Sequence, residues 1–427
     1  MECCIRSCLE LVHGGQVIMK TWGNRALLAC TILIGSTLLL FLALFVFKKD
    51  TSNSTRALNI SELVSLQNPD SLGPSLVLFG PEGDSLLAVD DRGMTTVWDI
   101  ARSILRISES PMDKDKMQSD SKIPSTFPVK AWFSGHYLVI SIYSSAVGPC
   151  IYAFSIKDNI FHDLFASDTT APKTRKSSGI MPFDVNTHAT LIALSDTDES
   201  VKVLSMPSFD QLSVLQVSNA CSLEWDDSGT ILAIGTTDGY VHLWDSVDDR
   251  IIFSTKPSSE MILIEKFLSN HYLIARVGDS IQYINVEKGT FTALDYKAPT
   301  KGASFIDVSP NGLYVATSNY NKGLVCVFEL PSCRKVFKSN MNARTEKIAF
   351  TPDGTMLAIL LVDKGIMMLS TESWRKLKLI DEYQASPSCF EFDHANNSIA
   401  VGYSSQSYKC KVYSMEYNLG ENNGRTE

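Results

Sequence analysis

The chain has little positive charge and few cysteines for its length. Its 427 residues include 38 Lys and Arg against 47 Asp and Glu, which gives a net charge of −9. A general nucleic-acid binder carries a basic face, so we expect no nucleic-acid partner. The ten cysteines are sparse for a disulfide framework. No C-x-x-C pair and no Cys/His cluster with zinc spacing occurs, so the sequence predicts no metal site.

The sequence also lacks the short motifs that carry common enzyme chemistry. It has no G-x-S-x-G, no P-loop, no H-E-x-x-H and no glycine-rich dinucleotide loop. Paired carboxylates occur at Asp90-Asp91 and Asp226-Asp227, but both pairs lie in predicted turns, where Asp is favoured for local hydrogen bonding. The sequence therefore predicts neither an enzyme nor a bound cofactor.

One long hydrophobic run is present, at residues 26–47, between an N-terminal tail (residues 1–25) and the rest of the chain. The run has 22 residues without a charge. As a helix it would extend about 33 Å, enough to cross the core of a bilayer. It is longer than the apolar part of a signal peptide, and the FVFKKD that ends it suits cleavage poorly. The sequence therefore predicts a single-pass transmembrane helix.

The orientation of this helix rests on conflicting signals. Lys and Arg near its two ends are almost balanced, with a slight excess on the C-terminal side, which favours a cytosolic location for the rest of the chain. Unpaired cysteines also suit a reducing compartment. Against this, Asn59 and Asn396 begin glycosylation sequons that could be used only in a lumen. Cys3, Cys4 and Cys8 are possible palmitoylation sites, which require a cytosolic N-terminus.

Beyond the run, the sequence repeats. Each repeat is an apolar strand, a short polar turn and a second apolar strand, and a further strand and turn precede each pair. Eight such units occur, at 86–100, 137–156, 191–206, 232–246, 272–286, 313–330, 356–371 and 398–415. The last six end 40 to 44 residues apart, the period of a four-stranded propeller blade.

Two of the units end in Trp-Asp, at Trp98-Asp99 and at Trp244-Asp245, and their turns contain Gly93 and Gly239. These tight turns need a residue with positive φ, a conformation that glycine adopts without strain. With these dipeptides the chain resembles the WD40 family. The resemblance implies that Asp91 and Asp238 are the turn aspartates paired with Trp98 and Trp244 in a structural hydrogen-bond network. The Gly-His that opens the family repeat is absent from both units.

We therefore predict an all-β, WD40-like β-propeller of seven or eight four-stranded blades over residues 57–415, preceded by the transmembrane helix and followed by a flexible tail, 416–427. WD40 rings close by combining strands from both ends of the chain in one blade. The final unit lacks its outer strand, and the stretch 56–66 can supply it. Such closure removes an exposed sheet edge.

For function, we expect a membrane-anchored scaffold that binds protein partners at an endomembrane, in particular the endoplasmic reticulum. Its layout is similar to that of the transducin-beta-like ER membrane proteins. Two alternatives stay open: a lumenal or extracellular propeller that acts as a receptor or cargo-binding domain, and a regulator of a small GTPase in vesicle trafficking. The sequence identifies neither the partners nor the oligomeric state.

Overall fold

The computed structural model describes residues 57–418, apart from 68–72, 91–93, 110–125, 135–136, 145–147, 156–159, 165–180, 197–199, 270–271, 298–303, 322, 381–385, 396 and 404–408. Within these residues no helix has the length and apolar character needed to cross a membrane. The predicted transmembrane helix (26–47), the tail before it, Cys3, Cys4, Cys8 and Asn396 lie outside the described residues. Residues Leu58–Tyr417 form one unit.

The described chain forms eight four-stranded sheets, which are the blades of a β-propeller. The first strand, Ala57–Gln67 (β1), belongs to the last blade. Blades 1 to 4 follow in chain order, each with its innermost strand first: blade 1, Pro74–Phe79 (β2), Ser85–Asp90 (β3), Thr95–Asp99 (β4) and Ile104–Glu109 (β5); blade 2, Thr126–Phe133 (β6), Tyr137–Ser144 (β7), Gly148–Ser155 (β8) and Ile160–Asp163 (β9); blade 3, Phe183–Val185 (β10), Leu191–Asp196 (β11), Ser200–Ser205 (β12) and Gln211–Leu215 (β13); blade 4, Ala220–Trp225 (β14), Ile231–Thr236 (β15), Val241–Asp245 (β16) and Arg250–Thr255 (β17).

Blades 5 to 8 complete the ring, and β1 is the outer strand of blade 8. Their strands are: blade 5, Ile262–Ser269 (β18), Tyr272–Val277 (β19), Ser280–Asn285 (β20) and Thr290–Lys297 (β21); blade 6, Ser304–Val308 (β22), Tyr314–Asn319 (β23), Leu324–Glu329 (β24) and Arg334–Asn340 (β25); blade 7, Thr345–Phe350 (β26), Met356–Leu361 (β27), Gly365–Ser370 (β28) and Lys376–Ile380 (β29); blade 8, Pro387–Phe392 (β30), Ser398–Tyr403 (β31) and Lys409–Asn418 (β32), with β1.

The predicted propeller is confirmed, and of the two predicted blade numbers the structure has eight. Each of the eight repeat units supplies the second and third strands of one blade. These middle strands are apolar because neighbouring blades cover both of their faces. In β3, β27 and β31, for example, every residue is buried. The last strand, β32, continues to Asn418, three residues beyond the predicted end of the ring at Met415.

The turn between β15 and β16 shows why a glycine is needed in these hairpins. Gly239 has a φ of +92°, and a Cβ atom there would lie 2.0 Å from the carbonyl oxygen of Ser258. Both the backbone conformation and the space therefore exclude a side chain. The positive φ predicted for Gly239 is confirmed, whereas Gly93 lies outside the described residues.

The ring closes through β1, as the sequence predicts. Glu62 of β1 forms an ion pair with Lys411 of β32, with 2.8 Å between Oε2 and Nζ. Leu58 is buried in a cluster that includes Met356 and Ile366 of blade 7. Leu66 is buried in a second cluster, which includes residues of blade 1 such as Val77. The closing strand thus packs against both neighbours of its own blade.

Candidate functional site

The innermost strands of the eight blades form a closed ring around the central channel, because each packs against the innermost strand of the next blade. Seven of the eight carry a charged residue toward this channel region, whereas β2 of blade 1, with the sequence PSLVLF, carries none. The charged residues that form ion pairs or backbone hydrogen bonds between blades are, in the order of blades 2 to 8, Lys130, Asp184, Glu224, Lys266, Asp307, Lys347 and Glu391.

Three ion pairs join these residues across blade boundaries. The distance between nitrogen and carboxylate oxygen is 2.8 Å for Lys130 and Asp184, in blades 2 and 3. It is 3.3 Å for Lys266 and Glu224, in blades 5 and 4. The third pair joins blades 7 and 8, with 2.6 Å between Lys347 Nζ and Glu391 Oε2. Each pair therefore ties two neighbouring innermost strands together.

Two aspartates of the ring also bind the backbone of the following blade. The backbone N–H of Trp225 donates to Asp184 Oδ2 over 2.8 Å, from blade 4 to blade 3. The backbone N–H of Phe350 donates to Asp307 Oδ2 over 2.6 Å, from blade 7 to blade 6. Hydrogen bonds that end on a charged group are stronger than neutral ones, so these contacts fix the spacing of the innermost strands.

Burial in the channel changes the acidity of these groups. It raises the pKa of Asp307 to about 6, although its backbone hydrogen bonds and the charge of Lys347 act in the opposite direction. It raises the pKa of Glu224 to about 7, with a further contribution from the neighbouring charge of Asp184. Burial alone would lower the pKa of Lys347, but the charge of Glu391 and the hydrogen bond to it raise that pKa above its ordinary value. The channel therefore favours a cation next to its carboxylates.

The channel widens into a cavity of about 460 Å³ at one mouth. The mouth lies on the face where the turns between first and second strands emerge, because Ser309–Gly312 of the β22–β23 turn line it. We call this part the charged sector. The residues that line it include charged and titratable residues of blades 4, 5, 6 and 8 and phenylalanines of blades 5, 7 and 8; they are Asp227, Lys266, Asp307, Glu391, His394, Phe267, Phe350 and Phe392.

A second cavity of about 310 Å³ adjoins the first and shares Glu391, Phe392 and His394 with it. We call it the apolar sector, because its walls come mainly from apolar residues of blades 1 and 2. The side chains that make it apolar are Leu78, Phe79, Ala131, Trp132 and Phe133. The channel mouth is therefore asymmetric: carboxylates and a lysine lie on one side, and aromatic and aliphatic side chains lie on the other.

The Trp-Asp dipeptides lie away from this mouth, at the ends of the third strands of blades 1 and 4. Trp98 and Trp244 are buried in contacts between blades. Asp99 accepts a hydrogen bond from the backbone N–H of Arg102 over 3.1 Å, and Asp245 accepts one from that of Val247 over 2.8 Å. Both aspartates therefore stabilise the turn between the third and fourth strands.

The pairing that the family resemblance implies for Trp244 differs from the contact in the structure. Asp238 lies in the turn between β15 and β16. The indole N–H of Trp244 instead donates to Asp249 Oδ1 over 3.2 Å. Asp249 ends the next turn with a φ of +47°, immediately before β17, which places it beside the indole. Asp91, the corresponding residue of blade 1, lies outside the described residues.

The charged ring was not predicted from the sequence, although the sequence contains a signal for it. In blades 3, 4, 6 and 8 an acidic residue stands directly before the last apolar residue of the first strand, in FDVN, LEWD, IDVS and FEFD. A charge recurring at one register position of a buried strand indicates a shared environment. In blades 2 and 7 the charged residue stands two positions earlier, at Lys130 and Lys347, which hides the pattern.

Comparison with known proteins agrees with this architecture. A family model described as the anaphase-promoting complex subunit 4 WD40 domain matches residues 184–270, from blade 3 into blade 5. The WD repeat-containing protein 91 homolog of Dictyostelium discoideum is 24% identical over 248 residues, which is 57% of this chain and 26% of that protein. The chain thus matches only about a quarter of the length of this curated relative.

Among solved structures, the crystal structure of the computationally designed Ika8 protein superposes with a TM-score of 0.60. The match covers 82% of this chain and 98% of that chain at 15% sequence identity, so it concerns the fold alone. The fold is an eight-bladed β-propeller, and the two sequence matches are both to WD40-repeat proteins.

Proposed function

We propose that this protein is a single-pass, membrane-anchored WD40 propeller that recruits protein partners at an endomembrane such as the endoplasmic reticulum, with its ring on the cytosolic side. The observation that carries the binding role is the asymmetric channel mouth, where the charged sector adjoins the apolar sector. Such a mouth suits a peptide that presents a Lys or Arg next to an aromatic or aliphatic residue. The cation would enter the charged sector beside Asp307, and the apolar side chain would lie against Trp132 and Phe79.

The charge balance of the mouth supports a cationic ligand. Asp227, Asp307 and Glu391 line the charged sector with a single lysine, Lys266. Burial raises the pKa of Asp307 to about 6, so its carboxylate is costly to keep ionised in the empty channel. A ligand cation beside it would offset this cost, because an opposite charge within a few ångströms favours the ionised form.

A peptide-binding experiment on the full-length chain in detergent tests this role. The probes are two pools of nine-residue peptides, one with a central Lys or Arg followed by Phe or Leu, and one in which Gln replaces the cation. We expect the basic pool to bind more tightly, and Asp307→Asn to weaken that binding about tenfold through loss of a charge-assisted contact. Fluorescence polarisation measures both effects.

The matched control is Asp248→Asn. Asp248 is an exposed aspartate of the turn between β16 and β17, at the outer edge of blade 4, and its substitution should leave peptide binding unchanged. Equal binding of the two pools, or an Asp307→Asn variant that binds as tightly as the wild type, would refute the channel mouth as the site.

The membrane part of the proposal rests on the run 26–47 and on the thiols. Cys221, Cys326, Cys333, Cys389 and Cys410 are free, which suits a reducing compartment. Burial raises the pKa of Cys221 and of Cys389 to about 12, so these two thiols are poor nucleophiles. Regulation of a small GTPase stays a prediction from the layout of the chain, since none of the described residues of the ring identifies such a partner.

A lumenal receptor or cargo-binding domain is the second candidate, because Asn59 is exposed on the outer strand of blade 8. Protease treatment of microsomes, with and without detergent, separates the two candidates. We expect alkali-resistant membrane association, digestion of the ring without detergent, and no change in mass on glycosidase treatment. Protection of the ring together with a glycan on Asn59 would establish the lumenal candidate instead.

A further inference from the structure

The outer edge of blades 6 and 7 carries a concentration of positive charge that the channel site does not use. Five cationic side chains are exposed there, on or next to the outer strands β25 and β29. They form what we call the basic rim: Arg334, Lys338, Arg375, Lys376 and Lys378. In a chain of net charge −9, a cluster of this sign is a local feature and not a consequence of composition.

The alternation of side chains along β29 places its two lysines on the exposed side of the strand. Residues two apart on a strand share a face, so Lys376 and Lys378 point the same way from β29, while Leu377 between them is half-buried against the core. Glu329 pairs with Arg334 over 2.9 Å. Within the described part of the chain, Lys338, Arg375, Lys376 and Lys378 have no carboxylate within 4.0 Å, so their charge is available to a ligand.

The outer strands of blades 3 and 4 do not share this property. In blade 3, β13 reads QLSVL and carries no cation. In blade 4, β17 reads RIIFST, and its single cation, Arg250, pairs with Asp248 over 3.2 Å. Positive charge therefore distinguishes the edge of blades 6 and 7 from the edge of blades 3 and 4. A ligand that binds the basic rim through this charge is expected to be anionic.

The point at which the closing strand β1 enters the ring indicates which anionic surface the rim meets. The sequence leaves only residues 48–56 between the hydrophobic run 26–47 and β1. Nine residues extend at most about 30 Å. The first buried residue of β1, Leu58, packs against blade 7, which is one of the two blades that carry the rim.

We propose that the basic rim binds anionic lipid headgroups of the membrane in which the chain is anchored, and so holds the propeller edge-on to the bilayer. The inference rests on the proposed anchor. Polybasic surfaces close to a membrane segment bind the anionic cytosolic leaflet by electrostatic attraction. This attraction weakens with added salt because exposed charges are screened. Edge-on docking leaves the channel mouth accessible to a protein partner.

The test uses the full-length chain in nanodiscs of phosphatidylcholine alone and of phosphatidylcholine with about one-third phosphatidylserine, a fraction chosen to give a strongly negative surface. Amine-reactive labelling with mass-spectrometric readout reports the accessibility of single lysines. We expect labelling of Lys338, Lys376 and Lys378 to fall at least threefold in the anionic discs and to recover at high salt. Lys288, an exposed lysine of blade 5, should label equally in both.

Two matched triple variants separate the rim from total charge. In the variant Arg375→Gln, Lys376→Gln, Lys378→Gln, the remaining rim residue Lys338 should label equally in both kinds of disc. In the control Arg102→Gln, Arg250→Gln, Lys288→Gln, which removes three exposed cations of blades 1, 4 and 5, Lys338 should stay protected in anionic discs. Circular dichroism confirms that both variants are folded.

The outcomes of this test are distinct. Equal labelling of the rim lysines in neutral and anionic discs, by a chain that is incorporated in both, overturns the rim proposal and leaves the anchor intact. A chain that fails to incorporate at all refutes the anchor; salt-sensitive cosedimentation with anionic but not neutral vesicles then decides whether the rim binds lipid.

Discussion

Blades 4 and 8 have the same four-stranded plan but obtain their outer strands in different ways. In blade 4 the outer strand, β17, directly follows the other three, and none of its residues is buried. Ile251 and Ile252 of β17 are 44% and 41% exposed. In blade 8 the outer strand, β1, comes from the opposite end of the described chain, and its Leu58 and Leu66 are 5% and 1% exposed.

This difference shows what an outer strand must do in each case. A short turn holds β17 to its blade, so little packing is needed to keep it in place. The strand β1 has no such link to β32, and its attachment depends on packing against blades 7 and 1 and on contacts with β32. Loss of its buried leucines should therefore open the ring, whereas loss of an isoleucine from β17 should not.

The largest effect is expected from Leu66→Ala. It removes a fully buried side chain that packs with Val77 and Trp98 of blade 1, and such substitutions cost about 2–5 kcal/mol of unfolding free energy. Ile252→Ala in blade 4 removes a side chain that is 41% exposed, and we expect a cost of about 1 kcal/mol or less. Denaturant unfolding followed by tryptophan fluorescence measures both.

The same pair of variants also tests the mechanism of closure. In Leu66→Ala, hydrogen exchange should increase in β1, β32 and the first strands of blade 1 before it increases elsewhere, because the ring opens at its closing blade. Equal costs for Leu66→Ala and Ile252→Ala would show that β1 is no more important to the ring than an ordinary outer strand.

An effect of intermediate size is expected on the inner side of the same two blades, where carboxylates differ in their partners. Glu391 of blade 8 lies 2.6 Å from the amine of Lys347. The separation between Glu224 of blade 4 and Lys266 is longer, 3.3 Å, and burial together with the charge of Asp184 raises the pKa of Glu224 to about 7. Blade 4 therefore carries a carboxylate that resists ionisation.

This pKa makes stability depend on pH. An unfolded glutamate releases its proton near pH 4.5, whereas the folded chain retains it until about pH 7. The folded state binds more protons in this window, so its stability falls as pH rises and the loss is complete above pH 7. Glu224→Gln cannot ionise, so its stability relative to wild type should improve between pH 5 and pH 8 by on the order of 1–3 kcal/mol.

Unfolding free energies of the two proteins at pH 5 and pH 8 provide the measurement. Glu62→Gln in blade 8 is the control, because Glu62 is largely exposed on β1 and its substitution should give the same difference at both pH values. A Glu224→Gln variant whose stability stays parallel to that of wild type from pH 5 to pH 8 would contradict the assignment of the raised pKa to Glu224.

Much of the fold could be predicted from the sequence because it depends on short-range signals. Tight-turn residues such as Gly239 and the strand period locate the second and third strands of all eight blades. The closing strand was predictable as well, because the last repeat lacks an outer strand and the stretch 56–66 has an apolar pattern without a partner.

The candidate site was harder to predict from the sequence, for a physical reason. The ion pairs Lys130–Asp184 and Lys347–Glu391 join residues 54 and 44 positions apart, across blade boundaries. Their significance depends on how the innermost strands converge on the channel, which no local pattern encodes. The hydrogen bond from Trp244 to Asp249 was not predicted either, because the resemblance to the WD40 repeat implies Asp238 as the partner of Trp244.

The smallest effect is expected from the exposed ion pairs of the two outer strands. Glu62 and Lys411 pair in blade 8 over 2.8 Å, and Asp248 and Arg250 pair at the edge of blade 4 over 3.2 Å. The Glu62 side chain is 42% exposed and that of Asp248 is 54% exposed. Water and salt therefore screen both pairs, and such pairs contribute about 0.2–1 kcal/mol. Glu62→Gln and Asp248→Asn should each shift the unfolding free energy by about 0.5 kcal/mol or less. If Glu62→Gln instead cost as much as Leu66→Ala, charge and not buried packing would hold the ring closed.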